Sequence, residues 1–188
     1  MSETLRAVAW AKDDPPGMEL AEVCLTGSTM AASGVAIGSD PIPYRLDLSL
    51  ETGEEFVTSA LRVEARGEGL HATLDLRRSP AGRWNANGEE RPELEGALDC
   101  DLGLSPLTNS MPVLRHGLLR DTGSVELVMA WVAVPDLAVH ASPQRYTGLG
   151  GGVVRFDDLD DEFTAEITFD EDGLVLDYPG IARRLSRS

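Results

Sequence analysis

FTAEITFDEDGLVLDY, residues 163–178, reads as two strands and the turn between them. Phe163, Ala165, Ile167 and Phe169 fall on one face, while Thr164, Glu166 and Thr168 fall on the other. That period of two belongs to a half-buried strand. Asp172-Gly173 supplies a tight turn, and Leu174, Leu176 and Tyr178 return on the apolar side, which predicts an antiparallel hairpin. The same alternation recurs upstream. Ala21, Val23 and Leu25 alternate with Glu22 and Cys24, and Leu46, Leu48 and Leu50 with Arg45, Asp47 and Ser49. Leu61, Val63 and Ala65 are followed, across Gly67-Glu68-Gly69, by Leu70, Ala72, Leu74 and Leu76, a second hairpin. Turn residues interrupt the pattern about every ten positions, so the chain is mainly β.

One strand departs from alternation. Val125 to Val134 is apolar on both faces after Glu126, which predicts cover on both sides, and Pro135 ends it. Helix signals are scarce. The one candidate spans Ser105 to Leu119, with Ser105-Pro106 as cap and first residue and Gly117 as terminator. Pro112 interrupts it unless Asn109 is the cap and the helix proper begins near Met111. One short helix among many strands is the expectation. Gly148 to Gly152 reads as a flexible loop and Asp157 to Glu162 as an acidic one, neither long enough to separate domains. Residues 1–188 are therefore expected to form a single domain, which at this size needs no disulfide or metal staple.

The chain carries 32 acidic and 16 basic residues, a net charge of −16, and Lys12 is its only lysine. Such a surface repels phosphate backbones and anionic bilayers, which argues against nucleic-acid partners. Cys24 and Cys100 stand in apolar strand-like runs without metal spacing, and read as buried free thiols. MSETLRAVAWAKDD has no signal-peptide pattern, and no apolar run approaches the ~20 residues of a membrane span. A cytoplasmic location without a transmembrane segment is the expectation; oligomeric state is not encoded legibly.

No catalytic centre stands out. There is no G-x-S-x-G elbow, and His71, His116 and His140 are scattered singly. Asp99-Cys100-Asp101-Leu102-Gly103 begins like a calcium loop, but the later ligand carboxylates are missing and Leu102 and Leu104 stand where polar groups belong. It reads instead as a strand end with Leu98, Cys100 and Leu102 on the core face and both aspartates outward. No metal and no cofactor are expected. With 32 acids some close carboxylate pair is inevitable, so a carboxylate-dependent hydrolase acting on a sugar or lipid head group is only an alternative. The region from Arg83 to Arg115 is richer. Either its Asn, Thr and Ser residues satisfy a strand-to-helix corner, or Asp99, Asp101, Thr108, Asn109 and Arg115 surround the mouth of an apolar pocket and fix a head group.

DCDLGLSPLTNSMPVLR, residues 99–115, resembles the signature of a bacterial glycolipid-binding family. The upstream Trp84-x-x-Asn87-Gly88 turn, the Trp131 strand followed by Gln144-Arg145-Tyr146, and DEDGLVLDYPGIARR at 170–184 match in the same order. The likeness is strong from residue 84 onward and weak before it, notably over the Ala/Gly/Ser-rich segment Gly27 to Ser39. The resemblance implies a spiral β-roll, a long sheet wrapped round one helix, similar to bacterial lipoprotein-localisation factors. It also implies a non-catalytic binding or carrier protein for a glycolipid or other amphipathic ligand. Trp84, Trp131, Tyr146 and Tyr178 join the polar set as candidate ligand contacts, since aromatic rings face sugars and acyl chains equally well. That reading needs room inside the sheet. A structural or protein-interaction module with no small ligand predicts a solid core and an exposed apolar patch instead.

Overall fold

The computed structural model describes residues 3–186. Six long strands open the chain, each antiparallel to the one before: β1 (Glu3–Lys12), β2 (Gly17–Thr26), β3 (Thr29–Gly38), β4 (Tyr44–Thr52), β5 (Thr58–Gly67) and β6 (Leu70–Arg78). Short β7 (Trp84–Ala86) and β8 (Glu89–Glu90) extend this meander to one edge. β9 (Asp99–Leu102) and the helix α1 (Ser110–Arg115) follow. A second meander then runs through β10 (Ser124–Val132), β11 (Val139–Gly150), β12 (Val153–Asp158), β13 (Thr164–Phe169), β14 (Val175–Tyr178) and β15 (Ala182–Arg184). β15 pairs with β1, joining the two meanders into one fifteen-stranded sheet with β8 and β9 at its edges. β9 lies parallel to β10; the other pairings among the described residues are antiparallel.

The sheet is not closed into a barrel, but it curls back on itself. The Thr58 N–H donates to the Leu98 carbonyl at 3.0 Å, and the Cys100 N–H donates to Thr58 Oγ1 at 3.0 Å, so the β9 edge meets the start of β5. Arg91 Nη2 reaches the Val139 carbonyl at 2.6 Å and ties the β8 side to β11. Alternation supplies the inner face: Leu46, Leu48, Leu50, Leu61, Val63, Leu74 and Leu76 are all buried, as their period of two requires. Two apolar clusters result. The larger lies under β1–β6 and β9; the smaller lies under β11–β14. α1 bridges them, with Met111 in the first and Val113 in the second. The centre is filled by fully buried Trp10, Met30, Leu50, Leu61, Leu107 and Met111. The mainly β sheet with a short helix matches expectation; these large side chains occupy the centre, as the ligand-free alternative predicts, so any room for a ligand lies elsewhere.

Local differences have local causes. A single 3-10 turn, Pro106–Asn109, leads into α1, which is only six residues long. Pro112 stands in the first turn of α1, where the missing N–H would have had no intrahelical partner. Gly117, at φ 65°, follows the helix end as expected. In the C-terminal hairpin, Ala165, Ile167 and Phe169 are buried, but the return strand buries Leu174, Val175 and Tyr178 and leaves Leu176 40% exposed. The Asp170 carboxylate accepts the N–H groups of Asp172 and Leu174, and a register shift at Phe169 slips the parity of β14. β10 is covered on both faces only from Met129 to Val132, where β9 pairs with it; Val128 is exposed. Gly148 belongs to β11 rather than to a loop. Cys24 is only partly buried, because it faces outward from β2. Among the described residues no helix is long and apolar enough to cross a membrane.

Candidate functional site

Successive side chains of β9 leave on opposite faces. Cys100 and Leu102 enter the larger cluster, and Asp99 and Asp101 face α1 and β11. The expected outward aspartates are thus wrong, because the chain after β9 folds back and covers that face. Asp101 Oδ1 accepts from Thr108 Oγ1 at 2.9 Å, and its Oδ2 accepts from Gln144 Nε2 at 2.8 Å. The Tyr146 hydroxyl lies 3.1 Å from Asn109 Oδ1 and 3.2 Å from Gln144 Oε1, so one proton serves two acceptors. Asn109 caps no helix N–H with its side chain. These residues form one connected polar network.

Above it opens a cleft of about 230 Å³. Asp101, Asn109 and Gln144 contribute its polar floor, and Leu104, Val134 and Ile181 contribute aliphatic surface. Leu104 holds a left-handed backbone (φ 62°) in the turn after β9, a conformation that costs a non-glycine residue about 1–2 kcal/mol. Aromatic rings supply the rest. Phe156 from β12, Phe163 from the following loop and Tyr178 from β14 form a triangle with centroids 6.0, 6.1 and 6.2 Å apart. Trp131 of β10 also lines the cleft and stacks on His140 of β11, centroids 6.1 Å apart. Phe163 is placed by the acidic turn: the Asp158 N–H donates to its carbonyl, and Asp158 Oδ1 accepts the N–H groups of Asp160 and Asp161.

The fourteen lining residues include Asp101 and Asp158 and no Arg, Lys or His. Burial raises the Asp101 carboxyl above its ordinary value of 3.8; the Gln144 and Thr108 hydrogen bonds oppose this, and the negative Asp158 and Asp99 add to it. Burial, then the Asp101 charge, pushes the Tyr146 and Tyr178 hydroxyls up as well. Among the described residues no group of three His, Cys, Asp or Glu side chains is placed to hold a metal ion.

The model of the family described as "Putative glycolipid-binding" matches residues 7–184. The chain belongs to this family. The match takes in the N-terminal strands, including the Gly27–Ser39 segment where the sequence resemblance is weakest. A crystal structure of a DUF1089 family protein from Pseudomonas aeruginosa is similar over 89% of this chain and 92% of its own, at 29% identity and a TM-score of 0.77. No curated protein matches.

In this member of the family the sequence-predicted residues divide into three groups. Asp101, Asn109, Trp131 and Tyr178 line the cleft, and Thr108 and Tyr146 hold its floor from beneath. Asp99 and Arg115 do not line it: they form a buried two-bonded ion pair that fastens α1 to β9. Trp84 lies elsewhere, 2% exposed, its indole N–H donating to the Ala97 carbonyl at 3.0 Å. Gln144, Phe156, Asp158 and Phe163 are the additions. Gln144 stands inside the Gln144-Arg145-Tyr146 block, a signal at hand; Asp158 reads from sequence as a solvated turn.

Proposed function

We propose that this cleft binds the polar head group of a glycolipid or similar amphiphile, and that the protein acts as a non-catalytic binding or carrier protein. The observation that carries the reading is the pairing of aromatic rings with a hydrogen-bonded Asp101–Gln144–Asn109 floor in one concavity. Rings stack on the apolar faces of sugars, and the floor fixes hydroxyls. The family's description supports the glycolipid class. The volume supports a head group rather than a whole lipid, since about 230 Å³ lies below the roughly 300–1,000 Å³ of drug-sized pockets. The tail then lies outside the packed centre.

Titration with octyl glucoside, followed by isothermal calorimetry and native mass spectrometry, tests this. Saturable 1:1 binding that Trp131→Ala removes is expected; no saturable binding of any alkyl glycoside would overturn the reading.

One observation favours a second reading. Two carboxylates, Asp101 with its raised value and Asp158, share the cleft, as a sugar hydrolase would require. Against it, both Asp101 oxygens are engaged by Thr108 and Gln144, and Asp158 Oδ1 holds a turn. Release of glucose from the bound glycoside would establish it.

A further inference from the structure

Among the described residues, the buried carboxylates Glu19, Asp99 and Asp157 have cationic partners, whereas the half-buried Asp101 and Asp158 have none. Glu19 lies 3.2 Å from Lys12 Nζ, Asp157 lies 3.0 Å from Arg155, and Asp99 is held by Arg115. Asp101 is enclosed by its surroundings yet meets only the neutral donors Gln144 and Thr108. Its remaining exposure opens on the cleft, where Asp158 adds a second carboxylate and no basic side chain offsets either. The Phe156–Phe163–Tyr178 triangle lines the same cleft. Ring faces are electron-rich and attract cations, more strongly where water is excluded.

We propose that the cleft selects a head group carrying an ammonium, as an amino sugar does, over neutral and anionic head groups. This rests on the head-group reading above and adds its charge. The ammonium supplies the cation that Asp101 lacks, with Asp158 as second counter-charge and the rings as a partial cage. An anionic head group meets two carboxylates with no compensating donor, and is disfavoured on the same grounds.

Three matched probes separate the possibilities at pH 6.5: octyl glucoside, octyl 2-amino-2-deoxyglucoside and octyl glucuronide, each titrated calorimetrically into the full chain. The amino probe should bind about tenfold more tightly than the neutral one, the effect of one desolvated cation–π contact or partial ion pair. The glucuronide should bind weakest. Asp158→Asn keeps an oxygen for the turn amides and should bring the amino and neutral probes within about threefold of each other. Asp101→Asn should do the same, its fold checked by thermal melting. Equal affinity for the amino and neutral probes overturns the charge selection while the head-group reading stands. Saturable binding of none of the three overturns both. A tenfold preference that survives both substitutions overturns the assignment to these carboxylates.

Discussion

Trp84 is 2% exposed and spends its indole N–H on the Ala97 carbonyl, whereas Trp131 is only partly buried and rests on His140 beside the cleft. Their substitutions should therefore fail in different ways. Trp84→Ala empties a core position and should cost about 3–5 kcal/mol in urea unfolding. Trp131→Ala should cost less than half as much and instead abolish alkyl-glycoside binding; equal stability losses would sink the distinction. Sequence alone could not separate the two. Trp84 reads as the start of a turn and Trp131 as part of an apolar strand, but what covers each is decided by remote partners: the Ala97 segment for Trp84, an exposed histidine for Trp131. Asp101 and Asn109 were legible as part of a polar block, but Gln144 became a site residue only when β11 was laid opposite β9. Gly148 shows the same dependence on distant chain. A Cβ there would stand 1.9 Å from the Asp121 carbonyl oxygen, so Gly148→Ala should destabilise by about 3 kcal/mol, measured by the same unfolding assay.

Among the elements, the strands announce themselves because alternation is a local property and one face is buried throughout the meander. The β5–β6 hairpin and the buried face of β13 follow directly. β14 does not, since the parity of its faces is reset by hydrogen bonds to the Asp170 carboxylate. α1 is harder still: six residues carry too little periodicity to fix a boundary, and its position comes from tertiary contacts. One of these is the Arg115–Asp99 pair, with side-chain exposures of 6% and 1%. Arg115→Met strands a carboxylate that has no access to water, and should cost about 3–5 kcal/mol. The double variant Asp99→Leu, Arg115→Met removes both charges and should recover most of that loss. Chemical denaturation of the three proteins decides: a double variant no more stable than Arg115→Met would mean the residues matter for shape rather than for charge.

Across the whole molecule the charge of −16 makes the pH dependence of stability a sum of opposed contributions. Half-buried Asp47 and Glu64 and exposed Glu93 are held below their ordinary values. Hydrogen bonds from Arg45 and Arg66 do this for the first two, and a backbone hydrogen bond followed by Arg91 does it for Glu93. Their stabilisation is present above the unfolded values of 3.8 and 4.5 and is lost as pH falls through the folded ones. Asp101 runs the other way. Its folded value lies above 3.8, so between the two values the folded chain binds a proton that the unfolded chain has released, and its contribution to stability falls as pH rises. The amide that Asp101→Asn introduces does not titrate, so subtracting the two proteins leaves the titration of Asp101 together with its coupling to Asp99 and Asp158. Urea unfolding of both from pH 3.5 to 7 should show the difference moving against the natural chain as pH rises, then levelling once Asp101 is ionised in both states. A difference that stays flat, or moves in favour of the natural chain, would mean that burial does not raise Asp101, and that the cleft offers a bound ammonium no under-compensated charge.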